Sequence, residues 1–181
     1  SMALAGTGTL GLPMMKLAKM LSECATAQTM LGVGTAALAY DLIYWPAFFL
    51  EDDATAQAAE YETRPIPSFI VSQLDEPGWE QEIRRSIDVT GMLYAELAMK
   101  PSATGESTMR DQVRHFGNLC GDLLDELWDI SATVDPDGGN YLHIIDTMKT
   151  LASPQFTFAD DESDQSGKTY LAFAFAVMYQ T

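Results

Sequence analysis

Two cysteines, Cys24 and Cys120, and two histidines, His115 and His143, are the whole stock from which a thiol nucleophile or a histidine metal cluster could be built. Both cysteines fall in helical patterns among apolar neighbours, where a free thiol behaves as a small hydrophobe and lacks the electropositive setting that makes a thiolate. Their number and spacing give neither a disulfide framework nor a zinc site. His115 follows Arg114 on the polar side of a helical pattern and reads as a solvated histidine. No Gly-x-Ser-x-Gly elbow occurs.

Oxygen ligands are more plentiful. Asp135, Asp137 and Asn140 of DPDGGN are donors on a glycine turn, a set that suits calcium, but the long loop and closing glutamate of an EF-hand are missing. The same residues are those that turns prefer, so a turn is the expectation. The acidic run DDESD, residues 160–164, reads as a solvated loop. GTGTLG at 6–11 has a glycine rhythm yet follows no strand and lacks the lysine of a phosphate loop. The carboxylates are too scattered for an acid–base pair to stand out. The expectation from these patterns is a protein without catalytic residues, cofactor or metal.

Composition narrows the classes further. A chain of 181 residues has room for one domain with a substantial core. Its 26 acidic against 10 basic residues give a formal net charge of −16, which opposes wrapping of phosphate backbones, so no specific nucleic-acid binding is expected. Thr29–Leu50 has the length of a membrane span, but Gly32, Gly34, Asp41 and Pro46 interrupt it and it reads as two elements instead. Ser1-Met2 resembles a cleavage scar before a natural start, and no basic segment leads an apolar one, so secretion is not expected.

The elements that must position these residues are clearest at the end of the chain. In GKTYLAFAFAVMYQT, Leu171, Phe173, Phe175, Val177 and Tyr179 alternate with Tyr170, Ala172, Ala174, Ala176 and Met178. A period of two places bulky groups on one face of a strand and mostly alanines on the other. The bulky face requires a helix layer; the alanine face requires a close-fitting cover, from the same sheet sandwich or from a neighbouring subunit.

Upstream, residues 1–11 form a flexible arm, and a helix from Leu12-Pro13 to Leu31 follows, stopped by Gly32, with Lys16, Lys19 and Glu23 on its wet side. Thr35–Ala39 adds a helical turn, Leu42–Trp45 a short strand, and 47–64 a long loop. PIPSFIVSQ at 65–73 is a strand, Glu76-Pro77-Gly78 a turn, and Glu82–Met99 one long strand with a bend or bulge at Gly91. Ser107-Thr108 with Asp111 caps a second helix running from Met109 to Ile130, whose apolar set includes Leu119, Leu124 and Trp128. Gly117 and Gly121 on it allow another backbone to approach, which reads as packing on the sheet, with a dimerising seam as the alternative. Tyr141–Met148 is a strand and Ser153–Gly167 a final loop. The expected fold is α+β: a mainly antiparallel sheet of four strands or slightly more, with two helices on one face, forming a single domain over 12–181.

Aromatic residues at strand ends and in loops, namely Tyr44, Trp45, Phe48, Phe49 and Trp79, join Tyr170, Ala172 and Ala174 as the candidate assembly interface. The order of elements carries a resemblance. MMKLAKMLSECATAQTMLG followed by IYWP, then RPIPSFIVSQ, IRRSIDVTGMLYAELAM, FGNLCGDLLDELWDIS and TYLAFAFAVMYQ resemble the tail terminator, or tail-completion, proteins of long-tailed phages and prophages. The chain departs from that pattern in its longer loop at 47–64 and its acidic balance. The resemblance implies a structural virion protein, assembled in the bacterial cytoplasm into a hexameric ring. Such a ring caps the tail tube protein, ends tail growth and offers a surface to the head–tail connector protein. DNA would pass through its acidic bore without specific binding, and no membrane is involved. A head–tail joining or neck protein of the same particle is the neighbouring reading; a small-molecule-binding or enzymatic α+β domain is the reading from another class.

Overall fold

A computed structural model describes residues 11–44, 66–73, 78–82, 86–132, 141–147, 155–160 and 169–180. The elements in chain order are helices α1 (Gly11–Glu23), α2 (Ala25–Leu31) and α3 (Ala36–Tyr40), then strands β1 (Ile43–Tyr44), β2 (Ser68–Gln73), β3 (Gly78–Glu82) and β4 (Ser86–Met99). A 3-10 turn at Pro101–Thr104 leads to α4 (Met109–Ala132), and β5 (His143–Thr147), β6 (Gln155–Asp160) and β7 (Thr169–Gln180) follow. The expected arm 1–11, apart from Gly11, which opens α1, lies outside the described residues, as do the loop 47–64 and the DPDGGN turn.

All seven strands form one sheet in the lateral order β1-β2-β4-β7-β5, with β3 also on β4 and β6 also on β7. Among the described strands only β1 and β2 run parallel; every other pair is antiparallel. The α+β class and the mainly antiparallel sheet therefore stand; in place of the expected four strands or slightly more and two helices, the described residues hold seven strands and four α-helices. The centre is the β4–β7 pair, in unbroken register from Thr90↔Gln180 to Met99↔Leu171. Each central strand carries two partners end to end on its outer edge. β2 pairs with Leu93–Ala98 of β4 and β3 with Ser86–Thr90; β5 pairs with Val177–Gln180 of β7 and β6 with Thr169–Ala174.

Two strand readings change accordingly. The run expected from Glu82 to Met99 is two strands, because Glu82 pairs back onto Ser86 as the last residue of β3. The expected final loop 153–167 contains β6, whose Phe156 pairs with Phe173 and Phe158 with Leu171. Gly91 is no bulge in its pairing with β7. The irregularity lies opposite, where β2 stops at Gln73↔Leu93 and β3 resumes at Gly78↔Thr90. Gly91 faces Tyr179, and a Cβ placed on it would lie 2.6 Å from the Tyr179 hydroxyl oxygen, so the glycine exists to let that ring lie across it.

The long first helix is broken. Cys24 is extended (φ −69°, ψ 122°) and supplies no side-chain cap to α2. Glu126 of α4 caps it instead, accepting from the Thr26 N–H at 3.0 Å and from Thr26 Oγ1 at 2.7 Å. A carboxylate at a helix N-terminus satisfies free N–H groups and complements the dipole. Gly32 then stops α2 in the left-handed region, φ 69°, as its position required. Thr35 caps α3 through the Leu38 N–H, and Thr108 caps α4 through the Asp111 N–H while donating to the Asp111 carboxylate.

One core lies between the helices and one face of the sheet. Met14, Leu17, Leu21, Met30, Phe116, Leu123 and Leu127 from the helices join Phe69, Val71, Leu93, Leu97, Phe173, Val177 and Tyr179 from the strands. The bulky face of β7, Leu171 to Tyr179, is buried there as its alternation demanded. Lys19 belongs to this layer too, 4% exposed and not on the wet side. Its ammonium pairs with Glu23 at 2.8 Å and sits 5.8 Å from the centroid of the Tyr141 ring, whose hydroxyl donates to the other Glu23 oxygen. Pairing of this kind is what permits a buried lysine. Ser131 of α4 ties the helix layer to β5, donating to the Leu142 carbonyl and accepting from the Ile144 N–H.

Candidate assembly surface

The opposite face of the sheet is built from the alternate residues of the same strands. Across it, Ile70 of β2 stands opposite Glu96 of β4, and Glu96 opposite Ala174 of β7; the adjacent row is Ser72, Tyr94 and Ala176. Tyr170, Ala172, Ala174 and Met178 of β7 are half-buried, as are Met92, Tyr94 and Glu96 of β4 and Ile70 and Ser72 of β2. No helix packs on this face among the described residues: Ala98 and Ala176 on it are buried, yet neither joins the core that all the helices share with the other face.

The relief of the surface follows from the side chains. Alanine leaves β7 a low lane, while β4 beside it carries the longer Met92, Tyr94 and Glu96. The Tyr94 hydroxyl donates to Glu96 Oε2 at 2.9 Å, so the phenol and the carboxylate are fixed side by side. A sheet face of small and amphipathic groups, with one acid among them, suits burial against protein better than permanent contact with water.

The sequence-derived candidates divide as follows. Tyr170, Ala172 and Ala174 come together on this face, on alternate positions of one strand. Tyr44 is half-buried in β1, at the sheet edge beyond β2. Trp45, Phe48 and Phe49 lie outside the described residues, and so does the side chain of Trp79, whose backbone pairs with Val89. Residues that sequence reasoning missed are Leu38, Met109 and Trp128, large apolar groups 53%, 59% and 44% exposed. The sequence pattern puts Trp128 in the apolar set of α4 and Met109 at its start. A check of 100° per residue against Phe116, Cys120, Leu123 and Leu127 would have placed Trp128 well off the buried centre.

Gly117 and Gly121 also change meaning. A Cβ at either would meet no atom of the described residues within 4 Å, so neither serves packing on the described sheet.

The groups with chemical potential are occupied by structure. Cys24 is buried, its thiol pointing to the Met20 carbonyl at 3.3 Å; burial first, then the charges of Glu126 and Glu23, pushes it up to about 12. Burial likewise pushes the Cys120 thiol up to about 12. Neither is a thiolate at neutral pH, so neither is a nucleophile as it stands. His115 is a surface residue with Nδ1 3.7 Å from Glu106, and His143 is exposed at the start of β5. No three His, Cys, Asp or Glu side chains among the described residues group as metal ligands. No helix among them is long and apolar enough to cross a membrane; the span-like stretch is divided among α2, α3 and β1.

Compared with known proteins, the chain matches no family model, and no curated protein matches it in sequence.

Proposed function

We propose that this chain is a structural component of a phage tail: a ring subunit that caps the tail tube, ends its growth and presents a surface for head attachment. The observation that carries the reading is the sheet face on which no described helix packs, with half-buried Ala172 and Ala174 beside Tyr94 and Glu96. A neighbouring subunit laid along the alanine lane would bury it against backbone-close side chains, and a ring results when each subunit repeats that contact. The net charge of −16 supports the same reading, because an acidic bore repels passing DNA. The resemblance in element order supplies the tail and the hexamer; the partners it brings are the tail tube protein and the head–tail connector protein.

The test is light scattering coupled to size exclusion, with negative-stain imaging, on the chain alone and with purified tail tubes. Rings, or tube ends capped by this protein, are the expected result. Ala174→Arg should abolish them without unfolding the subunit, since the new cation stands opposite Glu96. A strict monomer that leaves tube ends bare would sink the proposal; binding only to isolated connectors would move the chain to the neck.

A further inference from the structure

We infer that free copies of this chain pair through the sheet face described above, around a two-fold axis that brings Glu96 of each onto Lys100 of the other and seats Tyr170 of each on Ala174 of the other. The inference rests on reading this face as the assembly surface, and adds how a subunit keeps it covered before it meets a tail tube. β4 ends at Met99, yet Lys100 stays extended, φ −73° and ψ 134°, so it holds the next position of the face on which Glu96 and Ala98 stand. Lys100 is exposed and makes no ion pair among the described residues. Glu96, with its carboxylate held by the Tyr94 hydroxyl, lies four positions back, about 13 Å along the strand. The two cannot meet within one copy.

Symmetry turns that spacing into a contact. When two sheets face each other about an axis that lies between them and crosses the strands, β4 runs antiparallel over β4 and β7 over β7. With the axis over Ala98, each β4 residue faces the one equally far on the other side of Ala98 in the second copy, so Glu96 meets Lys100. Ala98 is in register with Ala172, so the same rule on β7 sets Ala174 against Tyr170, a ring over a methyl group. The row beneath the axis is Ser68, Ala98 and Ala172, small side chains that let the sheets approach. Other placements fail. An axis over Glu96, or one running along β4, lays like charge on like, and an axis over Tyr94 sets the acid over Met92. One register thus satisfies charge and size together. The net charge of −16 on each copy keeps the dimer weak, so a tube end can displace the second copy from the lane.

The test is sedimentation equilibrium of the full chain, with circular dichroism to verify each fold. A dimer at submillimolar concentration is expected. Glu96→Lys and Lys100→Glu should each weaken it about a hundredfold, since each alters both symmetric pairs and one pair is worth about tenfold. Together they restore opposite charges and the dimer. Tyr170→Ala and Ala174→Tyr should likewise weaken it singly and restore it jointly. Should Glu96→Lys not fold, exposed Lys100 still decides: Lys100→Glu should lose the dimer and Lys100→Arg keep it. A chain that is monomeric throughout, a larger assembly in place of the dimer, indifference to Lys100→Glu, or a folded double reversal that stays monomeric overturns the inference. Capping of tail tubes is scored separately. Bare tube ends with a dimer that the charge exchange restores sink the ring and leave the dimer; capped ends with a monomeric free chain do the reverse.

Discussion

Substituting Gly91 by alanine tests the reading of the sheet centre. In most strand interiors this exchange gains about 0.5–1 kcal/mol, because glycine loses more backbone freedom on folding. Here the new methyl would sit 2.6 Å from the hydroxyl oxygen of Tyr179, 2.8 Å from Cζ and 2.9 Å from Cε1. Two ring atoms and the hydroxyl are involved and Tyr179 is 1% exposed, so the ring has no open side to move into. Overpacking of this kind costs about 1–3 kcal/mol, which outweighs the entropic gain. The expected net loss is about 1–2 kcal/mol, read from urea unfolding curves, with a fall in Tm of roughly 2–4 °C per kcal/mol. The partner is testable as well. In a Tyr179→Leu background the obstructing atoms are gone, and Gly91→Ala should become neutral or stabilising, a coupling of about 1–3 kcal/mol between the two sites. Gly91→Ala as stable as the parent in the native background would refute the reasoning.

Other outcomes follow from the helix layer. Gly117→Ala and Gly121→Ala should each stabilise the chain by about 0.5–1 kcal/mol in urea unfolding, since neither new methyl meets an atom of the described residues. Glu126→Ala should cost about 1–2 kcal/mol and lower helical circular dichroism, because α2 loses the acceptor of its Thr26 N–H and hydroxyl. Neither thiol should react with an aromatic disulfide reagent in the native protein at neutral pH, and two should react in urea. Both folded thiols titrate at about 12 and the unfolded ones near 9, so the folded state holds the protons longer. The stability they contribute is complete below about pH 9 and is lost as pH rises from there toward 12, which alkaline unfolding curves would show.

Much of the fold was legible because local pattern and tertiary demand agree. The period of two in β7 was long enough to assign its faces, and the Thr108 cap with Asp111 announced α4. The break at Cys24 was not legible: nothing in Glu23-Cys24-Ala25 stops a helix, and the residue that stabilises a new start, Glu126, lies a hundred positions away. Lys19 was misplaced for a related reason, its partner Glu23 being local but the covering Tyr141 distant. β6 hid because two phenylalanines next to an acidic run carry too few alternations to outweigh the loop composition. The alanine lane was visible as a pattern, but only the arrangement of the helices shows which face they take.

The place of β7 bears on the order in which the molecule can be made. The strand joining β4 to β5 and β6 comes last of the described elements, and its pairs with β4 link residues 72 to 90 positions apart, from Met99↔Leu171 to Thr90↔Gln180. Such distant pairing makes folding slow, because the loop must close before any contact rewards it. During synthesis the first hairpin can form on its own, yet β4 then keeps an open edge ten residues long, and β5 and β6 have nothing to join. That edge is the vulnerable surface of the nascent chain, a template for pairing with other chains until Thr169 onward has emerged.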